Sequence, residues 1–292
     1  MSRIAYVNGR YLPLHRPAVG IEDRGFQFAD GVYEVIKVLD GRPRDLARHL
    51  DRLERSMAAL EIRPPASRDS LQAVIREVLR RNGLRQALLY IQVTRGAAAR
   101  NHVFPTGARS SLVVTARRPA FPSAGERQAG IGVITQPDFR WGRCDIKSIS
   151  LLANVLARQK AREHGCREAW LVADDGRVTE GSASNVYLVD RAGRLITHPL
   201  GERILGGITR SVLLELARGD GIEVVERPFD QAELATAREA ALSSTSSLVL
   251  PVVRVDDQVV GDGTPGPVIG RLMELYQEHL RLPERPNRPF GC

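Results

Sequence analysis

The stretch RWGRCDIKSIS, residues 140–150, holds the one side chain whose chemistry stands apart from its surroundings, the lysine at position 147. Of the 42 basic residues in the chain only Lys37, Lys147 and Lys160 are lysines, and the other 39 are arginines. The sequence uses arginine almost everywhere a positive charge suffices. A lysine can lose its proton, attack a carbonyl and form a Schiff base, whereas a guanidinium stays charged. Lys147 is therefore a candidate nucleophile. A lysine at a loop-to-helix junction can equally be a surface residue, and Lys37 and Lys160 are as rare as Lys147. Other familiar chemistry is missing: there is no Walker A loop, no G-x-S-x-G elbow and no H-E-x-x-H.

The elements that must position Lys147 are legible from periodicity. RIAYVNGRYLP reads as a hairpin with an Asn-Gly turn, and GVYEVIKVLDGRP as a β-branched strand ending in Asp-Gly. Leu46, Leu50, Leu53, Met57 and Leu60 recur at helical spacing, and Leu71, Val74, Ile75, Val78 and Leu79 mark a second helix that an Asn-Gly pair stops. Strands return at ALLYIQVT and SSLVVTAR, so the first half is an α+β unit. Residues 1–118 form this N-terminal domain, the prolines of 119–122 mark a linker, and 123–292 form the second domain. That domain opens with a strand near GIGVITQ. A helix from about Ser150 to His164 follows, with Leu151, Leu152, Val155 and Leu156 expected to be buried and Gly165 as the stop. Two strand pairs turn at Asp175-Gly176 and Ala192-Gly193, and helices are expected from GGITR onward and near 267–280. The proline-rich end, RLPERPNRPFGC, reads as a loose tail.

Composition narrows the class. With 292 residues and 43% hydrophobic content the chain can build two packed cores. Cys144, Cys166 and Cys292 show no C-x-x-C spacing, which argues against a disulfide framework or a zinc site and for a reducing compartment. No apolar run is long enough to cross a bilayer, and the N-terminus lacks a signal-type apolar core, so a cytoplasmic protein is expected. The net charge of +8 comes from scattered arginines, often beside acids, with only 5% aromatic residues. That pattern speaks against nucleic acid and for a field that attracts small anions.

Six blocks give the sequence a family likeness: FADGVYEVIKV, RHLDRL, VTRGAAARNHVFP, RCDIKSISLLANVLA, EAWLVADDGRVTEGSASNV and GGITR. In their order and approximate spacing they resemble the fold-type IV pyridoxal-phosphate enzymes, the class IV aminotransferases, and among them the D-amino-acid aminotransferases. The resemblance implies a two-domain α+β architecture, with a smaller N-terminal α+β domain and a larger, barrel-like cofactor-binding domain flanked by helices. It implies pyridoxal 5'-phosphate as cofactor and no metal. Lys147 matches the lysine that holds the cofactor as a Schiff base and then carries the Cα proton. Glu180 matches the carboxylate facing the pyridine nitrogen, where a negative charge keeps that nitrogen protonated. The backbone N–H groups of Ile208 and Thr209, behind Gly206 and Gly207 at a helix start, match the phosphate site, together with Arg52 and the hydroxyl of Thr245. Ser182 and Ser184 are further candidates to support the ring, although Ala183 interrupts the run. Arg100 and His102, with Tyr33, match the group that binds the α-carboxylate, for which an arginine fork is well suited. In the family this loop reaches a neighbouring subunit, so a homodimer is implied, with D-amino acids and 2-oxo acids as partners.

The resemblance leaves rivals. A branched-chain L-amino-acid aminotransferase or an (R)-amine transaminase would keep Lys147 and Glu180 but lack the Arg-x-His pair. An aminodeoxychorismate lyase would need no oxo-acid acceptor, and a basic binding protein would need no cofactor.

Overall fold

The structure, a computed structural model, describes residues 3–282. Contacts divide the chain into two compact units. The first takes the residues up to Pro119 together with Ile146–Ser150, and the second takes Ala120–Asp145 and Leu151–Leu282. The segment carrying Lys147 thus belongs to the first unit, although the stretches on both sides of it belong to the second. The expected loose tail lies, from residue 283 onward, outside the described residues, and Cys292 with it.

The first unit runs β1 (Ile4–Val7), β2 (Arg10–Pro13), α1 (Arg24–Phe28), β3 (Gly31–Leu39), β4 (Arg42–Pro43), α2 (Leu46–Ala59), α3 (Arg68–Asn82), β5 (Ala87–Thr94) and β6 (Ser111–Arg117). Its six strands form one antiparallel sheet in the order β2-β1-β6-β5-β3-β4. Two hairpin turns set register: Asn8 and Gly9 have φ of 45° and 93°, Asp40 and Gly41 have 52° and 75°. Positive φ at both central positions is the turn geometry that matches strand twist, and Asn, Asp and Gly tolerate it best. The apolar stripes of α2 and α3 pack on one face of the sheet: Leu50, Leu53, Met57, Leu71, Val74, Ile75, Val78 and Leu79 share a core with Val32, Ile36 and Val38. Helix α3 is capped at both ends: Ser67 accepts from the N–H of Ser70, and Gly83, the expected stop, closes it in the left-handed region.

The second unit continues with α4 (Ala124–Ala129), β7 (Ile131–Pro137), α5 (Leu152–Glu163), β8 (Glu168–Val172), β9 (Arg177–Gly181), β10 (Asn185–Val189), β11 (Leu195–Thr197) and α6 (Ile208–Gly219). It closes with β12 (Val224–Glu226), β13 (Phe229–Asp230), α7 (Gln231–Thr236), β14 (Glu239–Ser244), β15 (Leu248–Val255), β16 (Gln258–Val259) and α8 (Pro267–Arg281). Ten strands form one mixed sheet, ordered β12-β11-β10-β14-β15-β7-β8-β9-β13 with β16 beside β15. Among the described residues no helix is long and apolar enough to cross a membrane.

Helix α5 corrects one expectation. Leu152, Val155 and Leu156, expected in the core, are 73%, 57% and 63% exposed, and Leu151 is only half-buried. The buried side of the helix is made of Ala157 and Ala161, which pack with Ile134, Ala169 and Leu171 of β7 and β8. Small side chains let a helix lie close on a sheet, and the bulkier residues are left on the outer face. Apolar spacing identified the helix but not its inward side.

Candidate active site

Lys147 is fixed through its backbone. Its carbonyl accepts the N–H of Tyr33 at 3.0 Å, its N–H donates to Ser56 Oγ at 3.3 Å, and Ser148 bridges to Val32. The segment therefore lies against β3 and takes its place from that strand. Tyr33 presents its ring to the lysine, with Nζ 4.4 Å from the ring centroid, and leans on Tyr90 at 5.7 Å. Burial and the neighbouring Tyr33 push the Tyr90 phenol up to about 12.

Side chains alternate along β3, so Glu34 points the opposite way from Tyr33, toward α2. It is fully buried and accepts from Arg52 twice, Nε to Oε1 at 2.7 Å and the second guanidinium nitrogen to Oε2 at 2.8 Å, while His49 Nδ1 lies 2.8 Å from Oε2. Burial alone would raise the carboxyl's pKa. The charge and hydrogen bonds of Arg52, with His49 beside it, hold it instead far below the usual carboxylate range. Arg52 is thus a buried arginine held by a carboxylate, and Glu34 and His49 are members of its cluster that sequence reasoning missed. Nothing local marks them, because the partners are 15 and 18 positions apart.

Arg100 and His102 follow β5 in an exposed loop. Both meet the ring of Phe28: the Arg100 guanidinium sits 4.8 Å from its centroid, and the two aromatic rings of Phe28 and His102 lie 5.3 Å apart. In the single chain, then, Lys147 is grouped with Tyr33, and Arg100 with His102. These are two separate clusters of the first unit.

In the second unit Glu180 sits on β9, buried, with both oxygens occupied. Arg140 donates to Oε1, and the side-chain amide of Asn185 and the backbone N–H of Leu205 each donate to Oε2 at 3.0 Å. Arg140 is itself held by Asp138, at 2.8 and 2.7 Å. Asn185 donates also to the carbonyl of Leu205 at 2.9 Å, so it ties Glu180 to the segment that leads into α6. That helix begins at Gly207, where no side chain caps the first turn, and Ile208 and Thr209 follow, both buried. A Cβ at Gly207 would lie 2.0 Å from Asn185 Oδ1, so the approach admits glycine alone. Thr245 occupies the turn between β14 and β15, half-buried. The hydroxyls of Ser182 and Ser184 are turned to the buried Glu168, which Arg158 also meets at 2.6 Å. Asn185 and Arg140 lie close in sequence to Glu180 and Lys147, but only strand pairing shows that they touch the carboxylate.

Among the described residues no group of three His, Cys, Asp or Glu side chains is placed to hold a metal ion.

Comparison with known proteins places this arrangement. Residues 31–255 match the family model of amino-transferase class IV. The chain is 42% identical to a D-alanine aminotransferase of Bacillus licheniformis, over 94% of this chain and 95% of that one, and 37% identical to a D-alanine aminotransferase of Staphylococcus haemolyticus, over 94% and 97%. Among solved structures it resembles the branched-chain amino acid aminotransferase of Escherichia coli, with a TM-score of 0.87 and 26% identity over 94% and 93% of the two chains. A second branched-chain amino acid aminotransferase, that of T.th., solved with pyridoxamine 5'-phosphate, matches with the same TM-score and identity, over 95% and 94%. A lysine tethered to β3, a buried glutamate on β9 and a glycine-started helix are thus set in a chain that belongs to the class IV aminotransferases.

Proposed function

We propose that the protein is a pyridoxal-phosphate-dependent D-amino-acid aminotransferase that moves the amino group of a D-amino acid such as D-alanine to a 2-oxo acid such as 2-oxoglutarate. The observation that carries this reading over its rivals is the pairing of Arg100 and His102 on the Phe28 ring. An exposed guanidinium beside an imidazole is a receptor for a carboxylate, which an amine transaminase does not need. Likeness in sequence points the same way, since the relatives at 42% and 37% identity are D-alanine aminotransferases, whereas the branched-chain structures agree at 26%.

The residues present fit pyridoxal phosphate. Its aldehyde calls for an amine, and Lys147 is half-buried and anchored through its backbone. Its pyridine nitrogen calls for a carboxylate, and Glu180 is buried with both oxygens fixed. Its phosphate calls for backbone N–H groups, and α6 starts without a side-chain cap in a cradle that a Cβ at Gly207 would fill. When bound, the cofactor supplies an aldehyde that condenses with amines and a ring that takes up the electrons left when Cα loses its proton.

Around that chemistry each side chain has a task. Lys147 Nζ would hold the cofactor's aldehyde and would carry the proton of the substrate Cα, with the Tyr33 ring beside Nζ to keep it in position. Glu180 keeps a proton on the ring nitrogen, and Asn185 and Leu205 keep its Oε2 aimed. Ile208 and Thr209 bind the phosphate through their N–H groups, where the helix dipole favours an anion, and Arg52 and Thr245 complete that site. Arg100 and His102, supplied by a second copy of the chain, would bind the α-carboxylate together with Tyr33 of the first, which decides which enantiomer offers its Cα hydrogen to Lys147.

A cytoplasmic homodimer goes with this reading. Ile21, Phe26 and Val103 are 83%, 79% and 70% exposed around α1 and the Arg100 loop, an apolar surface that a second copy of the chain would cover.

The test is direct: purify the protein, record its visible absorption, and supply D-alanine or L-alanine with 2-oxoglutarate. A coloured enzyme that forms pyruvate from D-alanine supports the reading. A coloured enzyme that prefers L-amino acids would put the branched-chain activity in its place.

A further inference from the structure

Apart from the Phe28 ring, the five-residue helix α1 has no part in the chemistry above, and it lies before the stretch that matches the family. Its fixing is nevertheless extensive. Asp23 caps it, accepting from Gly25 N–H at 2.8 Å, and the same buried carboxylate takes the hydroxyls of Thr94 and Ser111 at 2.9 and 2.8 Å. Gly25 packs so closely on Thr94 that a Cβ would come within 2.3 Å of its methyl group. The helix is therefore pinned to the ends of β5 and β6.

From this pinned helix three side chains reach the loop of Arg100 and His102. Arg24 is buried, and its guanidinium serves three successive carbonyls: it donates to Asn101, to His102 at 3.3 Å and to Val103 at 3.4 Å. Asp30 holds the other side of the fork at 2.7 Å. The same Asp30 binds Arg95, whose guanidinium lies 3.6 Å from the Phe104 ring centroid, so the loop is gripped at both ends. Burial would raise the Asp30 pKa, but the hydrogen bonds from Arg95 and Arg24 bring it below its ordinary value. Phe28, one turn on from Arg24, carries the side chains: Arg24 and Arg100 have their guanidinium carbons 4.9 and 4.8 Å from its centroid, and the His102 ring lies 5.3 Å away. Gln27 adds an acceptor for Arg100 at 3.4 Å.

We infer that Arg24 and Phe28 are positioning residues for substrate selection: Arg24 shapes the backbone of the loop at 101–103, and Phe28 sets the Arg100 guanidinium and the His102 imidazole at one spacing for a carboxylate. The inference rests on the reading of Arg100 and His102 as the carboxylate receptor. The physical reason lies in what each group can do. Only a planar guanidinium fork can serve several carbonyls at once, and an ammonium in its place keeps one or two of them. An aromatic face attracts a guanidinium and fixes its height, whereas leucine offers the same bulk without that attraction. Without the two constraints, an exposed arginine and histidine sample many rotamers, and a carboxylate must order them on binding.

The experiment compares Phe28→Leu, Arg24→Lys, Arg100→Ala and the parent holoenzyme, each with D-alanine and with an (R)-amine lacking a carboxylate, and records thermal stability and cofactor absorption. With D-alanine, Phe28→Leu and Arg24→Lys are expected to raise KM about tenfold while kcat stays within about twofold, the signature of lost substrate positioning. The carboxylate-free amine and the absorption should change little in either variant, and the melting temperature little in Phe28→Leu. Phe28→Tyr, which keeps the aromatic face, should restore KM to near the parent value. If Arg100→Ala raises KM for D-alanine but Phe28→Leu and Arg24→Lys do not, the positioning role is overturned while the receptor stands. If Arg100→Ala leaves KM unchanged, the receptor reading fails and the inference with it. An equal loss of kcat with both substrates would reduce Arg24 and Phe28 to structural residues and also overturn it. Should Arg24→Lys not fold, Phe28→Leu alone decides.

Discussion

Asn185 donates to Oε2 of Glu180 at 3.0 Å, and its Oδ1 stands where a Cβ on Gly207 would have to go, 2.0 Å away. One amide thus links the carboxylate proposed for the ring nitrogen to the start of the helix proposed for the phosphate. Gly207→Ala should push the two apart and weaken cofactor binding by about tenfold to a hundredfold, the range expected for losing one or two hydrogen bonds to charged groups. The double variant Gly207→Ala with Asn185→Ala should bind better than Gly207→Ala alone, because the collision is gone. Titration of the apo-protein with pyridoxal phosphate measures this, and two losses that simply add would disprove the steric link.

Lys147→Ala should abolish turnover, with a loss of about 10³-fold or more, since the residue both tethers the cofactor and carries the proton. Lys160→Arg should be silent, because the Lys160 side chain is half exposed and, among the described residues, its ammonium pairs with Glu163 at 3.5 Å. Lys37 is a different case: it is buried on β3, and a larger guanidinium there must displace its neighbours. Absorption and single-turnover rates on the three variants separate the lysines.

Glu34 gives the fold a dependence on acid. Its carboxyl pKa is depressed in the folded state, so its contribution to stability is present above the unfolded value of about 4.3 and is lost progressively as pH falls below that. Glu34→Gln leaves Arg52 buried without its counter-ion and should cost about 3 to 5 kcal/mol at pH 7. It should also make stability less dependent on pH below 5 than in the parent. Urea denaturation at pH 7 and pH 4 compares the two proteins, and parallel losses in both would show that Glu34 is not the titrating group.

Burial pushes the Cys144 thiol up to about 11, even though the Arg140 guanidinium nearby works in the opposite direction. At pH 8.5 its thiolate population should therefore be about a hundredfold smaller than that of an ordinary cysteine, which is half ionised there. Iodoacetamide labelling followed by mass spectrometry of the peptide containing Cys144 should show modification slower by a similar factor than a reference thiol. Labelling at the rate of the free thiol would contradict the burial.

What the sequence determined by itself is what depends on neighbours along the chain. The stripes of α2 and α3 and the Asn-Gly and Asp-Gly turns follow from residues within a few positions of each other, and the structure has each of them. The six blocks in order were enough to point to the class IV aminotransferases, because such a series depends on residue types and spacing and not on packing. Tertiary structure decided what depends on who stands opposite. Helix α5 was visible, but its inward face was set by how closely Ala157 and Ala161 let it approach β7 and β8. Arg52 was visible as a basic residue, but β3 had to be laid against α2 before Glu34 and His49 could be seen to hold it. The contacts of Arg24 with the carbonyls of residues 101–103 span 77 to 79 positions. Contacts of that range arise when strand register brings distant backbone together, and a buried guanidinium goes to whichever carbonyls the register leaves unpaired.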